Sequence, residues 1–242
     1  MQDLFKKLFC EDALTFQNIM KYNLQENNKM FIVTANPETF MIGEEEAEFK
    51  KCLLDENTTL VPDGIGIVKA THYLNCDVKQ RIPGIEIAEA LLKMGNEMKK
   101  SIYLFGSKEH IIDDMREVIQ NNYPCLNVVG YQNGYVDDRD AVFLDILDKQ
   151  PDIILVALGI PTQEKLIYRH LPQFKKGIFV GVGGSFDVLS GNKKRAPSFF
   201  IRFNIEWLYR ISKEPKRFKR FYKNNMKFLL GIRKLKRENL ND

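Results

Sequence analysis

A chain of 242 residues that is 44% hydrophobic and 28% charged has the length and composition of one soluble α/β domain carrying an appendage, which excludes two equal lobes, a fibre and a disordered polymer. The net charge of +4 hides a segregation: residues 1–192 carry 20 Lys+Arg against 28 Asp+Glu, and residues 193–242 carry 16 against 4. An acidic body therefore bears a basic tail, and such a tail attracts phosphates, whether of nucleic acid, lipid headgroups or a diphosphate substrate.

Cys10, Cys52, Cys76 and Cys125 are scattered, with no CxxC pair and no histidine at metal-ligand spacing, so neither a zinc site nor a disulfide framework is expected. The chain reads as cytosolic. Lys6 and Lys7 are not followed by an apolar stretch of signal-peptide length. The longest apolar run, residues 153–160, falls far short of the ~20 residues that span a bilayer, so membrane contact is expected to be peripheral.

Taken in chain order, β-branched and aromatic runs predict strands at residues 30–35, 58–61, 101–106, 126–131, 153–159 and 177–182. Helical spacing appears between them, as in Ile85, Ala88 and Leu92 of residues 84–99 and Ile111, Met115 and Val118 of residues 108–121. Alternation of this kind predicts a doubly wound, Rossmann-like α/β body with a mostly parallel sheet and helices on both faces. Ligands of such sheets bind beyond the carboxyl ends of the strands, at a switch in strand order. The candidate chemistry therefore belongs to the segments after the strands: Thr34-Ala35-Asn36-Pro37, Pro62-Asp63-Gly64-Ile65-Gly66, Gly106-Ser107, the stretch from Gly159 to Glu164, and the stretch from Gly181 to Asp187. Composition turns basic and aromatic near Lys193–Pro197. The body is taken as residues 1–195 and the appendage as residues 196–242, whose helical pattern runs through Trp207, is interrupted at Pro215 and resumes with Phe218, Phe221, Tyr222, Leu229 and Ile232. Apolar and basic faces on one helix suit a membrane interface.

Neither glycine cluster is a nucleotide fingerprint: Lys69 stands where GxGxxG needs its third glycine after Gly64 and Gly66, Phe186 stands there in the Gly181 cluster, and no GxxxxGK[ST] occurs. Each cluster is read either as a tight strand-to-helix turn or as bare backbone that lets amides approach a diphosphate or nucleobase. Asp63 stands straight after a strand, where a carboxylate either caps the next helix or serves as a general base facing the crevice. Asp138-Arg139-Asp140 has the DxD form of a metal-binding transferase motif, but it opens a predicted helix after the Gly134 turn, where acidic residues suit the helix dipole. His72, His110 and His170 suggest no dyad, and Ser185 is not in a GxSxG elbow. Arg210, Arg217 and Arg220 would share one helix face if the helix continued past Pro215, forming a forked phosphate clamp.

Together these segments resemble the WecG/TagA/CpsF glycosyltransferases, glycosyltransferase family 26. The resemblance is carried in family order, over residues 30–222, by Thr34-Ala35-Asn36, by Pro62 to Val68, by Arg81-Ile82-Pro83-Gly84, by Gly159 to Glu164, by Gly181 to Asp187, by Arg195-Ala196-Pro197, and by Glu206-Trp207 with Arg210, Glu214-Pro215, Arg217 and Arg220. It implies a metal-independent, inverting enzyme without a cofactor that moves N-acetylmannosamine or a related sugar from UDP to polyprenyl-diphosphate-linked N-acetylglucosamine. The expected location is the cytoplasmic side, peripheral to the inner face of the cell membrane. The implied partners are the UDP-sugar donor, the lipid-linked acceptor and an anionic membrane surface, with no nucleic acid; self-association is left open. By the same resemblance Asp63 is the general base, and Thr34, Arg81 and Gln163 hold sugar or phosphate. Asn36 and Asp187 lie on the nucleotide side, the Gly181 cluster approaches substrate, and Arg210, Arg217 and Arg220 reach the lipid diphosphate. Glu86, where an aspartate is usual, and the lysine-rich Asn192-Lys193-Lys194 depart from the pattern. The rival readings are an NAD-dependent nucleotide-sugar oxidoreductase or epimerase, and a nucleic-acid-binding module built on the basic tail.

Overall fold

The structure, a computed structural model, describes residues 1–75, 78–213 and 216–238. Cys76, Glu214 and Pro215 lie outside the described residues, as do the side chains of Arg210, Arg217 and Arg220.

The chain opens with α1 (Gln2–Lys7) and α2 (Ala13–Gln25), then runs β1 (Lys29–Ala35), α3 (Pro37–Glu45), α4 (Ala47–Leu54), β2 (Thr58–Pro62), α5 (Ile65–Tyr73) and α6 (Gly84–Glu97). It continues with β3 (Ser101–Gly106), α7 (Glu109–Asn122), β4 (Asn127–Gln132), α8 (Arg139–Lys149), β5 (Ile153–Ala157), α9 (Thr162–His170), β6 (Gly177–Gly181) and α10 (Ser185–Leu189). The tail forms α11 (Ser198–Arg202), α12 (Glu206–Lys213) and α13 (Lys216–Glu238). All six predicted strands are present, and they form one parallel sheet in the order β2-β1-β6-β5-β3-β4. The body is thus a Rossmann-like α/β fold. The chain steps outward from β1 to β2, crosses to β3 and β4, and returns to fill the centre with β5 and β6, so its first and last strands lie side by side.

Side-chain alternation assigns the two layers. Phe31, Val33, Phe105, Val156 and Phe179 join a core with Phe40 of α3, Phe49 of α4 and Ile167 of α9, while Met30, Ile32, Leu104, Leu155 and Val180 join another with Met20 of α2, Leu91 of α6 and Met115 of α7. Burial on both faces explains why β5 and β6 read as unbroken apolar runs. The far end of the chain packs back onto the body. Phe228, Ile232 and Leu235, spaced four and three residues apart on α13, belong to the same buried cluster as Phe5 and Phe40. The rings of Phe40 and Phe228 meet edge-on at 5.7 Å. The basic composition begins near residue 193, but the second half of α13 is part of the body's core.

Candidate active site

The β1–β2 side of the crevice is assembled by backbone bonds. Asp63 N–H donates to Ala35 O at 2.9 Å, and Ile82 N–H donates to Pro62 O at 2.6 Å, bringing the end of β1, the end of β2 and the Arg81–Gly84 turn together. Gly84 packs closely there: a Cβ would sit 3.3 Å from Thr34 Cγ2. Thr34, Asp63 and Arg81 all stand at half-buried positions along this seam. The helix after Asp63 runs from Ile65, and its N-cap is Gly64, which has no side chain to cap it. Gly64, before α5, and Gly66, in its first turn, both pack on Pro37: a Cβ on either would come within 3.2 Å of the Pro37 ring.

Two expected ligand residues have structural partners. Asn36 caps α3, accepting from Glu38 N–H at 2.9 Å and Thr39 N–H at 3.1 Å while Thr39 Oγ1 accepts from Asn36 N–H, a reciprocal capping box. Asp187 pairs with Lys193 Nζ at 3.0 Å. Arg81 faces Glu206 of α12 across 3.7 Å, with Glu206 buried, so the tail reaches the seam through this ion pair. Glu86, the departure from the family pattern, binds Arg195 Nη2 at 2.7 Å and ties the start of the tail to α6.

On the β5–β6 side, Gln163 is buried with its amide fully engaged. Its Oε1 accepts from Gly159 N–H at 3.0 Å and from Gly183 N–H at 3.1 Å, and its Nε2 donates to Glu164 Oε1 at 2.7 Å. Gly181, expected to approach substrate, also makes room for this pair: a Cβ there would lie 2.5 Å from Gln163 Nε2 and 2.8 Å from Glu164 Oε1. Gly183 and Gly184 are the members of the cluster with open space above them, and Gly183 adopts φ +50°. Glu164 is a buried carboxyl that motif reading left without a role; burial pushes its pKa up to about 7 despite the hydrogen bond from Gln163. The signal for it was present, since Glu164, Ile167 and Leu171 share the helical spacing of a buried stripe.

The DxD motif is used elsewhere. Asp138 caps α8 through Ala141 N–H, and Asp140 is held by Arg169 and by His170, whose ring stacks on Phe143 at 5.0 Å. These contacts hold the Asp140 carboxyl below its usual range, the His170 hydrogen bond first among them. His170 is thus buried and paired.

A family model described as the Glycosyl transferase WecG/TagA/CpsF family matches residues 10–241. The chain belongs to this family. It is 42% identical over 202 residues, 83% of this chain and 78% of the relative, to an N-acetylglucosaminyldiphosphoundecaprenol N-acetyl-beta-D-mannosaminyltransferase of Bacillus subtilis (strain 168). A Bacillus spizizenii relative with the same name is 39% identical over 81% of this chain and 76% of its own length. One from Staphylococcus aureus (strain MW2) is 36% identical over 88% of this chain and 84% of its own. Membership in the WecG/TagA/CpsF family makes the chain a glycosyltransferase and decides against the oxidoreductase and nucleic-acid readings.

Proposed function

We propose that this chain is an inverting, metal-independent glycosyltransferase that moves N-acetylmannosamine, or a closely related sugar, from UDP to polyprenyl-diphosphate-linked N-acetylglucosamine in the synthesis of a cell-wall or surface polymer. The observation that carries the reading is the identity of 36–42% over more than four fifths of the chain to transferases of that name. In this scheme Asp63 takes the proton from the acceptor hydroxyl as the oxygen attacks the anomeric carbon and UDP departs from the opposite face. One displacement inverts the centre. A positioned base contributes about 10²–10⁴-fold, and positioned donors supply stabilisation of the leaving diphosphate. Thr34 and Arg81, on the same seam, hold sugar and phosphate. Gln163 acts by setting the Gly159 and Gly183 loops, and Asn36 and Asp187 shape the nucleotide side through the helices they anchor. Arg210, Arg217 and Arg220 are proposed to meet the lipid diphosphate.

The acceptor's lipid makes the inner membrane face the working place. No helix of the described residues is long and apolar enough to cross a membrane. Phe199, Phe203, Leu208, Phe218, Tyr222 and Leu230 are exposed on α11, α12 and α13 among lysines and arginines. Such a surface suits peripheral docking, in which each Lys or Arg near an anionic leaflet contributes ~1 kcal/mol. In this arrangement residues 196–242 form the docking appendage on the catalytic body, with the second half of α13 as its anchor. The test is incubation with UDP-N-acetylmannosamine and a short-chain lipid-diphosphate N-acetylglucosamine. Turnover that persists with a metal chelator and is lost in Asp63→Asn supports the reading; turnover by the variant equal to wild type rejects it.

A further inference from the structure

The Gln163–Glu164 pair is buried and bonded to the loops that follow β5 and β6. Both atoms that meet Gln163 Oε1 are backbone N–H donors, from Gly159 at 3.0 Å and Gly183 at 3.1 Å, so the amide orientation is determined and its Nε2 must find an acceptor inside the protein. Glu164 Oε1 is that acceptor, at 2.7 Å. The side chain of Glu164 is buried, and its Oε2 has no hydrogen-bond partner. Gly181 of β6 closes over the pair with no side chain of its own, and the space for even one methyl is taken.

We infer that Glu164 is a positioning residue for sugar transfer: its carboxyl fixes the Gln163 amide, and through that amide the spacing of the Gly159 and Gly183 loops. This rests on the transfer reaction proposed above. As a neutral acid, Glu164 offers the acceptor that Gln163 needs without placing a bare charge in an apolar layer. The titratable groups around it supply no countercharge. From α4 comes the Cys52 thiol, itself pushed well up by burial and then by Glu164. Lys165 of the same helix is paired with Glu46 and Glu48, Lys29 of β1 donates to Leu171 O, and β6 presents glycine and apolar residues. With its pKa raised to about 7, the carboxyl changes charge near neutral pH, and ionisation leaves Oε2 charged and unpartnered.

The experiment compares full-length wild type with Glu164→Gln, Glu164→Leu and Gly181→Ala. Turnover of UDP-N-acetylmannosamine with the short-chain lipid acceptor is measured from about pH 6 to about pH 8.5. Hydrogen exchange of the peptides holding Gly159 and Gly183 gives a readout independent of turnover. Glutamine reproduces the acceptor and the donor of the neutral acid and cannot ionise. It is expected to match wild type at the acid end and to remove a decline of about tenfold that wild type shows toward the alkaline end. Leucine, and alanine at position 181, are expected to lower kcat about tenfold or more at every pH and to speed exchange in both loops. Superimposable pH profiles for wild type and Glu164→Gln, or unchanged exchange in the leucine variant, overturn the inference. A wild type that transfers no sugar overturns the reaction reading, and with it the catalytic role of Glu164, while exchange still reports whether the brace exists.

Discussion

On the β1–β2 side of the crevice Thr34, Asp63 and Arg81 stand half-buried along a seam built by main-chain bonds, whereas on the β5–β6 side Gln163 and Glu164 are buried and Gln163 bonds two loops and Glu164 Oε1. Both sides are the same unit, a parallel strand running into a helix. The difference lies in what holds each turn. Where backbone bonds do so, as at Ala35, Asp63 and Ile82, the main chain sets the turn. Where two glycine-bearing loops must be held apart at a set distance, side chains are consumed as struts. Polar residues in one crevice can thus serve chemistry or serve geometry.

The sharpest way to break this division is to change the seam. Asp63→Asn is expected to lower transfer by about 10²–10⁴-fold with the melting temperature unchanged, read by initial rates and thermal unfolding. A parallel loss of stability would move Asp63 to the structural class. On the other side, two neighbouring glycines should behave differently. Gly181→Ala forces a methyl to 2.5 Å from Gln163 Nε2 and is expected to cost about 1–3 kcal/mol in chemical denaturation. Gly184→Ala meets nothing within 4 Å and should stay within about 0.5 kcal/mol.

Glu164 predicts a pH dependence of stability with a defined sign. The folded chain holds its proton up to about 7, above the ordinary 4.5, so between those values the unfolded chain binds fewer protons. Stability contributed by this group is complete at the acid end and is lost as pH rises through about 7, with a slope of at most about 1.4 kcal/mol per pH unit. Thermal unfolding of wild type against Glu164→Gln should show that slope in the difference. The smallest effect belongs to the DxD motif: Asp138→Ala removes a helix cap, costing about 1 kcal/mol, and should leave turnover and its response to chelator unchanged.

The six strands were legible in the sequence because apolar runs bounded by glycine and polar segments encode strand ends locally, whereas Thr34 and Arg81 were singled out only by the family resemblance. The motif Gly159 to Glu164 was legible as a unit, yet the roles inside it were not. Whether Gln163 faces substrate or holds Gly183 depends on a contact across twenty residues that no local spacing specifies. The same holds for Arg81 and Glu206, and for the cap formed by Asn36, which reads equally well as a ligand until α3 is seen to start at Pro37.

By itself the sequence determined the alternation of strands and helices, the charge division between body and tail, and the family, since each is written in residue type and order along the chain. Only the tertiary structure decided the strand order that sets β1 beside β6, the burial of Glu164 under the Gly181 backbone, and the docking of Phe228, Ile232 and Leu235 into the body. Those depend on which apolar faces meet and which polar atoms are shut from water. Desolvation and packing act between segments distant in the chain, so they become visible once the chain has closed on itself.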